Sequence, residues 1–170
     1  FRDLGYDPFL AGDIPGFCVK IDTGRPGPCV LVLGELDAVK CASHPDADPE
    51  TGAVHACGHC CQAAGLLGLA AALTEPGVLD GWSGKIRLMA VPAEELIEVE
   101  FREELRKKGI IKYFGGKVEF MYRGYLNDVD MAFMIHNTAG VGAHAGNIIK
   151  GSNGCMPKTF TFHGKSSHAG

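Results

Sequence analysis

Three apolar runs place the strongest constraint on how this chain can fold. They are PCVLVLGELDAV (28–39), GKIRLMAVPAEE (84–95) and DVDMAFMIHN (128–137), and each passes into polar residues at its end. The first is almost uniformly apolar, as expected of a strand that is buried on both faces of a parallel sheet. The other two predict further strands of the same sheet, because they are short, apolar and bounded by polar or turn-forming residues.

Helical segments lie between these runs. CCQAAGLLGLAAALT (60–74) has the Ala and Leu content of a buried helix, and EFREELRKKG (100–109) predicts a charged helix that ends at its glycine. A β-rich run, GFCVKIDT (16–23), precedes the first strand, and the polar residues 40–54 predict a surface loop. Strands that alternate with helices predict an α/β fold with a doubly wound, mostly parallel sheet.

Side chains that can carry chemistry lie at the ends of the three runs. Asp37 is near the end of the first run, and Glu94 and Glu95 end the second. His136 is near the end of the third. Sheets of this type bind ligands just beyond the carboxyl ends of their strands. The sequence therefore predicts a functional site at this edge of the sheet.

Composition argues against two classes of function. The 170 residues are 46% hydrophobic with 24 glycines, which suits one compact domain. A net charge of −4 and the lack of a basic stripe argue against nucleic-acid binding, and no apolar run is long enough to span a membrane. The seven cysteines are odd in number and irregularly spaced, which argues against a disulfide framework and predicts a reducing, cytoplasmic location.

The stretch AVHACGHCCQAAG (53–65) permits two interpretations. As a redox motif, Cys57 and Cys60 form a C-x-x-C pair. As a metal motif, Cys57 and His59 supply a thiolate and an imidazole, which suit a divalent ion such as Zn²⁺. A thioredoxin-like motif follows an apolar strand directly, whereas a polar loop precedes Cys57 here. The metal interpretation is favoured, and a thiol–disulfide oxidoreductase remains the alternative.

The adjacent carboxylates Glu94 and Glu95 strengthen the metal interpretation. Successive side chains at the end of a strand point in different directions, so one carboxylate can bind an ion while its neighbour acts as a general base. His136, at the end of another apolar strand, is the next candidate ligand. The residue pattern alone does not assign the two roles between the glutamates.

Five segments, taken in order, resemble a known family. GELDAV, HACGHCCQAAGLLGLAAAL, VPAEE, MIHN and GKSSHAG are similar to motifs of the M20 metallopeptidases. The resemblance is greatest to the amidohydrolase branch with N-acyl-amino-acid, hippurate, indole-acetyl-amino-acid and aminobenzoyl-glutamate hydrolases, and it covers about residues 30–170. It implies an aminopeptidase-like catalytic domain, interrupted by a smaller ferredoxin-like α+β lid through which two copies form a homodimer.

The resemblance also implies roles for individual residues. The metal ligands would be Cys57, His59, Glu95 and His136. Glu94 would be the general base that acts on water, Asp37 would support the ligands, and His168 of the lid would help to polarise the substrate carbonyl. The implied cofactor is Zn²⁺ or Mn²⁺, as one or two ions. The implied substrate is a small amide or dipeptide, in which an acyl or aminoacyl group is joined to an amino acid.

The chain also departs from the family pattern. Cys60 replaces the acidic or amide residue that follows C-G-H, so a metal-binding relative without activity is a further alternative. The family has another ligand histidine far downstream, in longer chains. We therefore expect a truncated chain, in which residues 1–152 are the N-terminal part of the catalytic domain and residues 153–170 begin the lid. CMPKTFTFHGK (155–165) predicts a strand at the start of that lid.

Overall fold

The computed structural model describes residues 1–138, 146–152, 154–156, 158 and 160–168. The chain forms two compact units, Phe1–Asn137 and Thr138–Gly170. Every helix and strand found in the described residues belongs to the first unit. The predicted boundary between a catalytic part and a lid at residue 152 stays a prediction.

The first unit contains seven strands and three α-helices in its described residues. The strands are β1 (Phe9–Leu10), β2 (Phe17–Asp22), β3 (Cys29–Glu35), β4 (Val39–Lys40), β5 (Ala53–Val54), β6 (Lys85–Val91) and β7 (Met131–Met134). The helices are α1 (His59–Ala72), α2 (Val99–Lys107) and α3 (Gly116–Tyr122), with a short 3₁₀ helix at Arg2–Leu4. None of the helices in the described residues has the length and apolar character needed to cross a membrane.

Five strands form one sheet in the order β1-β2-β6-β3-β7. The three strands that were predicted from the apolar runs lie side by side, because β3 pairs in parallel with both β6 and β7. β2 joins the other side of β6 in the antiparallel direction, and β1 is antiparallel to β2. The prediction of an α/β fold with a mostly parallel central sheet is therefore confirmed.

Hydrophobic packing covers both faces of this sheet. On one face Leu31, Met89 and Val91 pack against Phe120 of α3. On the other face a second cluster of buried residues includes Leu66 and Ala70 of α1 and Val19, Ile86 and Leu88 of the strands. Alternate residues of β6 point to opposite faces, as the pleat of a strand requires. A strand that contributes to two cores reads as one continuous apolar run, which explains the composition of residues 85–91.

The register of the parallel strands aligns their carboxyl ends. Glu35 at the end of β3 lies opposite Val91 at the end of β6, and Leu33 lies opposite Met134 at the end of β7. The residues that follow these strands therefore leave the sheet at the same edge. The predicted carboxylates and His136 all belong to those segments.

Two local predictions are corrected by the structure, and one helix is added to them. The predicted loop 40–54 includes β5, which pairs antiparallel with β4 through Val39–Val54 and Lys40–Ala53. Helix α3 was not predicted, because it is short and begins at the second of two glycines. The strand predicted for residues 155–165 is absent from the described residues of that segment. Two-residue strands and a two-turn helix are too short to leave a periodic signal in the sequence.

A close backbone approach fixes the position of α3. The Gly116 N–H donates to the Ala93 carbonyl oxygen at 3.2 Å, and a Cβ atom on Gly116 would overlap the Pro92 carbonyl oxygen. Gly115 is different, because a Cβ there would make ordinary contacts of 3.9 Å with Leu96 and 4.0 Å with Val118.

We therefore expect Gly116→Ala to lower the free energy of unfolding by about 3 kcal/mol, because α3 must move away from Pro92. Gly115→Ala is the matched control and should change it by less than about 0.5 kcal/mol. Urea unfolding of both variants measures the difference. Equal stability of the two variants would contradict the packing described for α3.

Candidate metal centre

His59, the first residue of α1, lies at the centre of the site and is 1% exposed. Its Nδ1 lies 2.9 Å from the Asp37 carbonyl oxygen, which can only accept, so Nδ1 carries a proton and donates it. Its Nε2 faces away from this contact, 3.0 Å from Oε2 of Glu35 and 3.9 Å from Oε2 of Glu94. This backbone contact holds the ring with Nε2 directed toward the carboxylates.

Cys57 and His136 complete one group of candidate ligands around His59. The Cys57 Sγ lies 3.5 Å from Nε2 of His136, and the two imidazole rings have centroids 5.7 Å apart. The ligand atoms of these three residues all lie within 4.8 Å of one another. Nδ1 of His136 contacts the Asn137 carbonyl oxygen at 2.7 Å, which leaves Nε2 as the atom available to an ion.

Gly58 allows this approach between distant segments. It has φ of 103° at the N-terminus of α1, a conformation that L side chains rarely adopt. A Cβ at this position would also overlap the side-chain amide of Asn137. The glycine of the C-G-H motif therefore serves to bring the loop that carries Cys57 against the segment that carries His136.

Buried Gln62, one turn into α1, connects the ends of two strands. Its Oε1 accepts from the Glu35 N–H at 2.9 Å, and its Nε2 donates to the Ile135 carbonyl oxygen at 2.8 Å. One side chain therefore sets the spacing between the end of β3 and the segment that leads to His136. Gln62 was not predicted as a site residue, because a glutamine in an Ala- and Leu-rich helix gives no indication of its partners.

The loop that carries Glu94 and Glu95 has a constrained backbone. Ala93 and Glu98, on either side of the pair, have φ of 58° and 52°, in the left-handed region. A non-glycine residue held there costs about 1–3 kcal/mol, so contacts outside the loop must maintain its shape. One such contact is the Glu95 N–H, which donates to Oδ2 of Asp37 at 2.7 Å. Asp37 therefore contacts the backbone of the loop that carries both glutamates, and the supporting role toward the ligands that the resemblance implies stays a prediction.

Glu35 was not among the predicted site residues, yet its carboxylate lies beside His59 and is 1% exposed. Together with His59 and Glu94 it forms a second group whose ligand atoms lie within 4.8 Å of one another. Its other oxygen, Oε1, is paired with the ammonium of Lys117 from α3. The run that holds Glu35 predicts a buried strand, and a buried carboxylate in such a run signals a partner, here 82 positions away.

Three buried polar atoms in the site find no hydrogen-bond partner among the described residues: Glu35 Oε2, Asp37 Oδ1 and His59 Nε2. With its proton on Nδ1, which donates to the Asp37 carbonyl, the single-proton tautomer of His59 has a lone pair on Nε2, and this atom faces Oε2 of Glu35 at 3.0 Å. Two acceptors repel each other at this distance unless a cation lies near both. A divalent cation at this edge would relieve the repulsion, so the residues fit a metal ion.

The surroundings of Cys57 favour its protonated thiol. The thiol donates a hydrogen bond to the Glu95 carboxylate, burial disfavours its thiolate, and nearby glutamates add negative charge; together these raise the pKa of Cys57 to about 11. Only the thiolate binds a metal, and a bound cation is what stabilises a thiolate among carboxylates. The arrangement does not suit a redox cysteine, whose pKa is lowered.

The structure brings most of the predicted site residues to one edge of the sheet. Cys57, His59 and His136 form a group, and the Glu95 carboxylate reaches Cys57 without belonging to either group of ligand atoms within 4.8 Å. Asp37 lies at Nδ1 of His59, and Glu94 lies at Nε2. His168 belongs to the second unit, and its role toward a substrate stays a prediction.

A sequence profile described as peptidase family M20/M25/M40 matches residues 31–155. The chain belongs to this family. The resemblance seen in the five sequence segments is thereby confirmed. The match includes the ends of β3, β6 and β7, where both groups of candidate ligands lie.

Two curated relatives have the same degree of similarity to this chain. One component of the p-aminobenzoyl-glutamate hydrolase of Escherichia coli is 31% identical over 172 residues, which cover 94% of this chain and 35% of that protein. The indole-3-acetyl-aspartic acid hydrolase of Enterobacter agglomerans is 31% identical over 180 residues, covering 96% and 36%. The chain thus spans about a third of the length of these relatives.

A solved structure supports the fold. The Bacillus subtilis YXEP protein, described as a dinuclear metal binding peptidase from the M20 family, is 23% identical and gives a TM-score of 0.60. The likeness covers 81% of this chain and 34% of that one. At this identity it establishes a shared fold. The predicted α/β, aminopeptidase-like fold of the catalytic part is therefore confirmed.

The pairing of Glu35 with Lys117 can be tested by its effect on stability. Lys117→Met should lower the free energy of unfolding by about 2 kcal/mol, because it leaves a buried carboxylate without its partner. Adding Glu35→Gln should restore most of the loss. Lys85→Met is the control, because Lys85 and Asp22 form an exposed pair that contributes less than about 1 kcal/mol. A Lys117 variant as stable as the control would contradict the pairing.

Proposed function

We propose that the protein to which this chain belongs is a metal-dependent amidohydrolase that cleaves the amide bond of an N-acyl or aminoacyl amino acid. The observation that carries the proposal is the arrangement around His59. Cys57 and His136 group with it as candidate ligands, and Glu94 lies nearby with its Oε2 3.9 Å from Nε2 of His59. The site thus combines a thiol and two imidazoles with a carboxylate that need not be a ligand.

We assign Cys57, His59, Glu95 and His136 as the residues that would hold the ion. A bound divalent ion would supply Lewis-acid chemistry, lowering the pKa of water and polarising the carbonyl of the substrate. Zn²⁺ or Mn²⁺, as one or two ions, suits this set, because the thiolate favours the softer ion while imidazole and carboxylate accept either. The unpartnered Nε2 of buried His59 supports the assignment of that residue.

Glu94 is the proposed general base. Burial, and then the nearby Glu35 carboxylate, raise the pKa of Glu94 above its ordinary value, which makes it a better proton acceptor. Water adds to the amide carbon as Glu94 takes its proton. The C–N bond then breaks, and Glu94 returns the proton to the nitrogen of the leaving amine. The carboxylate ends the cycle as it began, so no further reagent is needed.

The substrate class follows from chemistry that two relatives share. The names p-aminobenzoyl-glutamate hydrolase and indole-3-acetyl-aspartic acid hydrolase both describe an acyl group joined to an acidic amino acid. We propose a small amide or dipeptide of this type as the substrate, with His168 helping to polarise its carbonyl. A homodimer formed through the lid and a cytoplasmic location belong to the same proposal.

Two other functions are less well supported. Thiol–disulfide exchange through Cys57 and Cys60 requires a stable thiolate, whereas the pKa of Cys57 is raised to about 11. Cys60 itself is exposed and lies 4.0 Å from the His55 carbonyl oxygen, outside both groups of candidate ligands. The Cys60 thiol therefore leaves both groups of candidate ligands intact. This argues against the alternative that the protein binds a metal but has lost its activity.

The test is a substitution that removes the base and keeps the ligands. In protein expressed from its complete gene, Glu94→Gln should lower kcat by about 10²–10⁴-fold on a panel of N-acyl amino acids, because no group then takes the proton from water. Elemental analysis should find the metal content unchanged. Glu100→Gln, an exposed change on α2, is the matched control and should behave as the wild type.

Two results would contradict the proposed function. One is a Glu94→Gln variant with wild-type kcat. The other is a metal-free wild-type protein that reduces insulin disulfides and leaves every N-acyl amino acid of the panel intact.

A further inference from the structure

Arg102 of α2 is a buried cation beneath the glutamate pair. Its exposed fraction is 8%, although it belongs to a helix whose other residues are mostly charged and at the surface. Burial lowers the pKa of Arg102 below its ordinary value, and the nearby carboxylates of Asp37 and Glu98 partly offset this effect. A buried guanidinium needs specific partners, because its five N–H donors lose their water.

The partners of Arg102 are two backbone carbonyl groups in different loops. Nη2 donates to the Glu95 carbonyl oxygen, and Nη1 donates to the Phe114 carbonyl oxygen at 3.4 Å. The first carbonyl belongs to the loop with the glutamate pair. The second lies two residues before α3, the helix that carries Lys117 to Glu35. One side chain therefore connects the two segments that supply charged groups to the site.

Glu95 is held at both of its backbone groups by charged side chains. Its N–H donates to Oδ2 of Asp37 at 2.7 Å, and its carbonyl accepts from Arg102. Asp37 follows β3 and Arg102 lies in α2, so the peptide units around Glu95 are fixed from two independent elements. A rotation of these units would displace both glutamate side chains at once.

The loop itself does little to maintain this conformation. Within it, the Ile97 N–H donates to the Glu95 carbonyl at 2.8 Å, and both Ala93 and Glu98 adopt left-handed backbone angles. Residues in that region persist only where the surroundings enforce it. The hydrogen bonds of Asp37 and Arg102 with the loop backbone help to hold it in this conformation.

We propose that Arg102 is a positioning residue of the site, which directs the Glu94 and Glu95 carboxylates by fixing the Glu95 peptide against Asp37. The inference rests on the proposed function for the roles of those two carboxylates. The hydrogen bonds of Arg102 go to backbone carbonyl groups and not to the candidate ligand atoms. Its effect passes through the backbone of the loop.

The experiment compares three variants of the protein expressed from its complete gene. Arg102→Met removes the donors and keeps the length of the side chain. Arg102→Lys keeps the charge and can replace one of the two contacts. Arg106→Met is the control, because Arg106 lies one turn further along α2, is exposed, and pairs with Glu103 on the same helix.

Three measurements are made on each variant: Co²⁺ affinity by calorimetry, the visible spectrum of the Co²⁺ form, and kcat and KM on an N-acyl amino acid. Arg102→Met should weaken Co²⁺ binding about 10–100-fold, as expected when a group that orients a ligand is lost. It should also alter the Co²⁺ ligand-field bands and lower kcat about 100-fold, with KM little changed. Arg102→Lys should recover part of each loss, and Arg106→Met should match the wild type.

Several results would overturn the proposal. The first is an Arg102→Met variant with wild-type Co²⁺ affinity, spectrum and kcat. The second is an equal loss in Arg102→Met and Arg106→Met. The third is loss of the folded circular dichroism spectrum in both Arg102 variants, because the residue would then serve stability alone. Co²⁺ affinity is measured without turnover. A protein that hydrolyses no amide but loses Co²⁺ affinity on Arg102→Met would refute the proposed function and leave this inference standing.

Discussion

The parallel pairing of β3 with both β6 and β7 is the constraint on which the site depends. Because the three strands run in the same direction and in aligned register, their carboxyl ends meet at one edge, with Glu35 opposite Val91 and Leu33 opposite Met134. Segments that are far apart in sequence then leave the sheet together. The N-terminus of α1 returns to the same edge, and the Gln62 side chain holds it there through contacts with the ends of two strands.

Charge is the second feature that organises this edge. Four carboxylates come together there, namely Glu35, Asp37, Glu94 and Glu95. Carboxylates this close raise one another's pKa unless cations are near. Lys117 and Arg102 supply two positive charges from α3 and α2, and the unpartnered atoms of Glu35 and His59 face a place where a divalent cation would supply more. The positive side chains of the fold therefore neutralise only part of the negative charge at this edge, and a bound divalent cation would neutralise more.

The sequence predicts the strands of the sheet best, because buried strands have regular runs of apolar residues. The run at 85–91 predicts a buried strand because its residues alternate between two apolar cores, and the strand ends then locate the candidate ligands. The contribution of Lys117 was not predictable, since it depends on α3, a seven-residue helix placed by the approach of Gly116 to Pro92. Arg102 gave no signal either, because it looks like any other charged residue of an exposed helix until its burial is known.

In the proposed centre, Cys57, His59, Glu95 and His136 hold a metal ion, with Glu94 beside it. The most direct measurement is an anomalous difference map from crystals of the Zn²⁺-loaded protein at the zinc absorption edge. The account predicts a peak about 2.3 Å from the Cys57 sulfur and about 2.0–2.1 Å from Nε2 of each histidine. A map with no ion at this edge and a disulfide between Cys57 and Cys60 would contradict it.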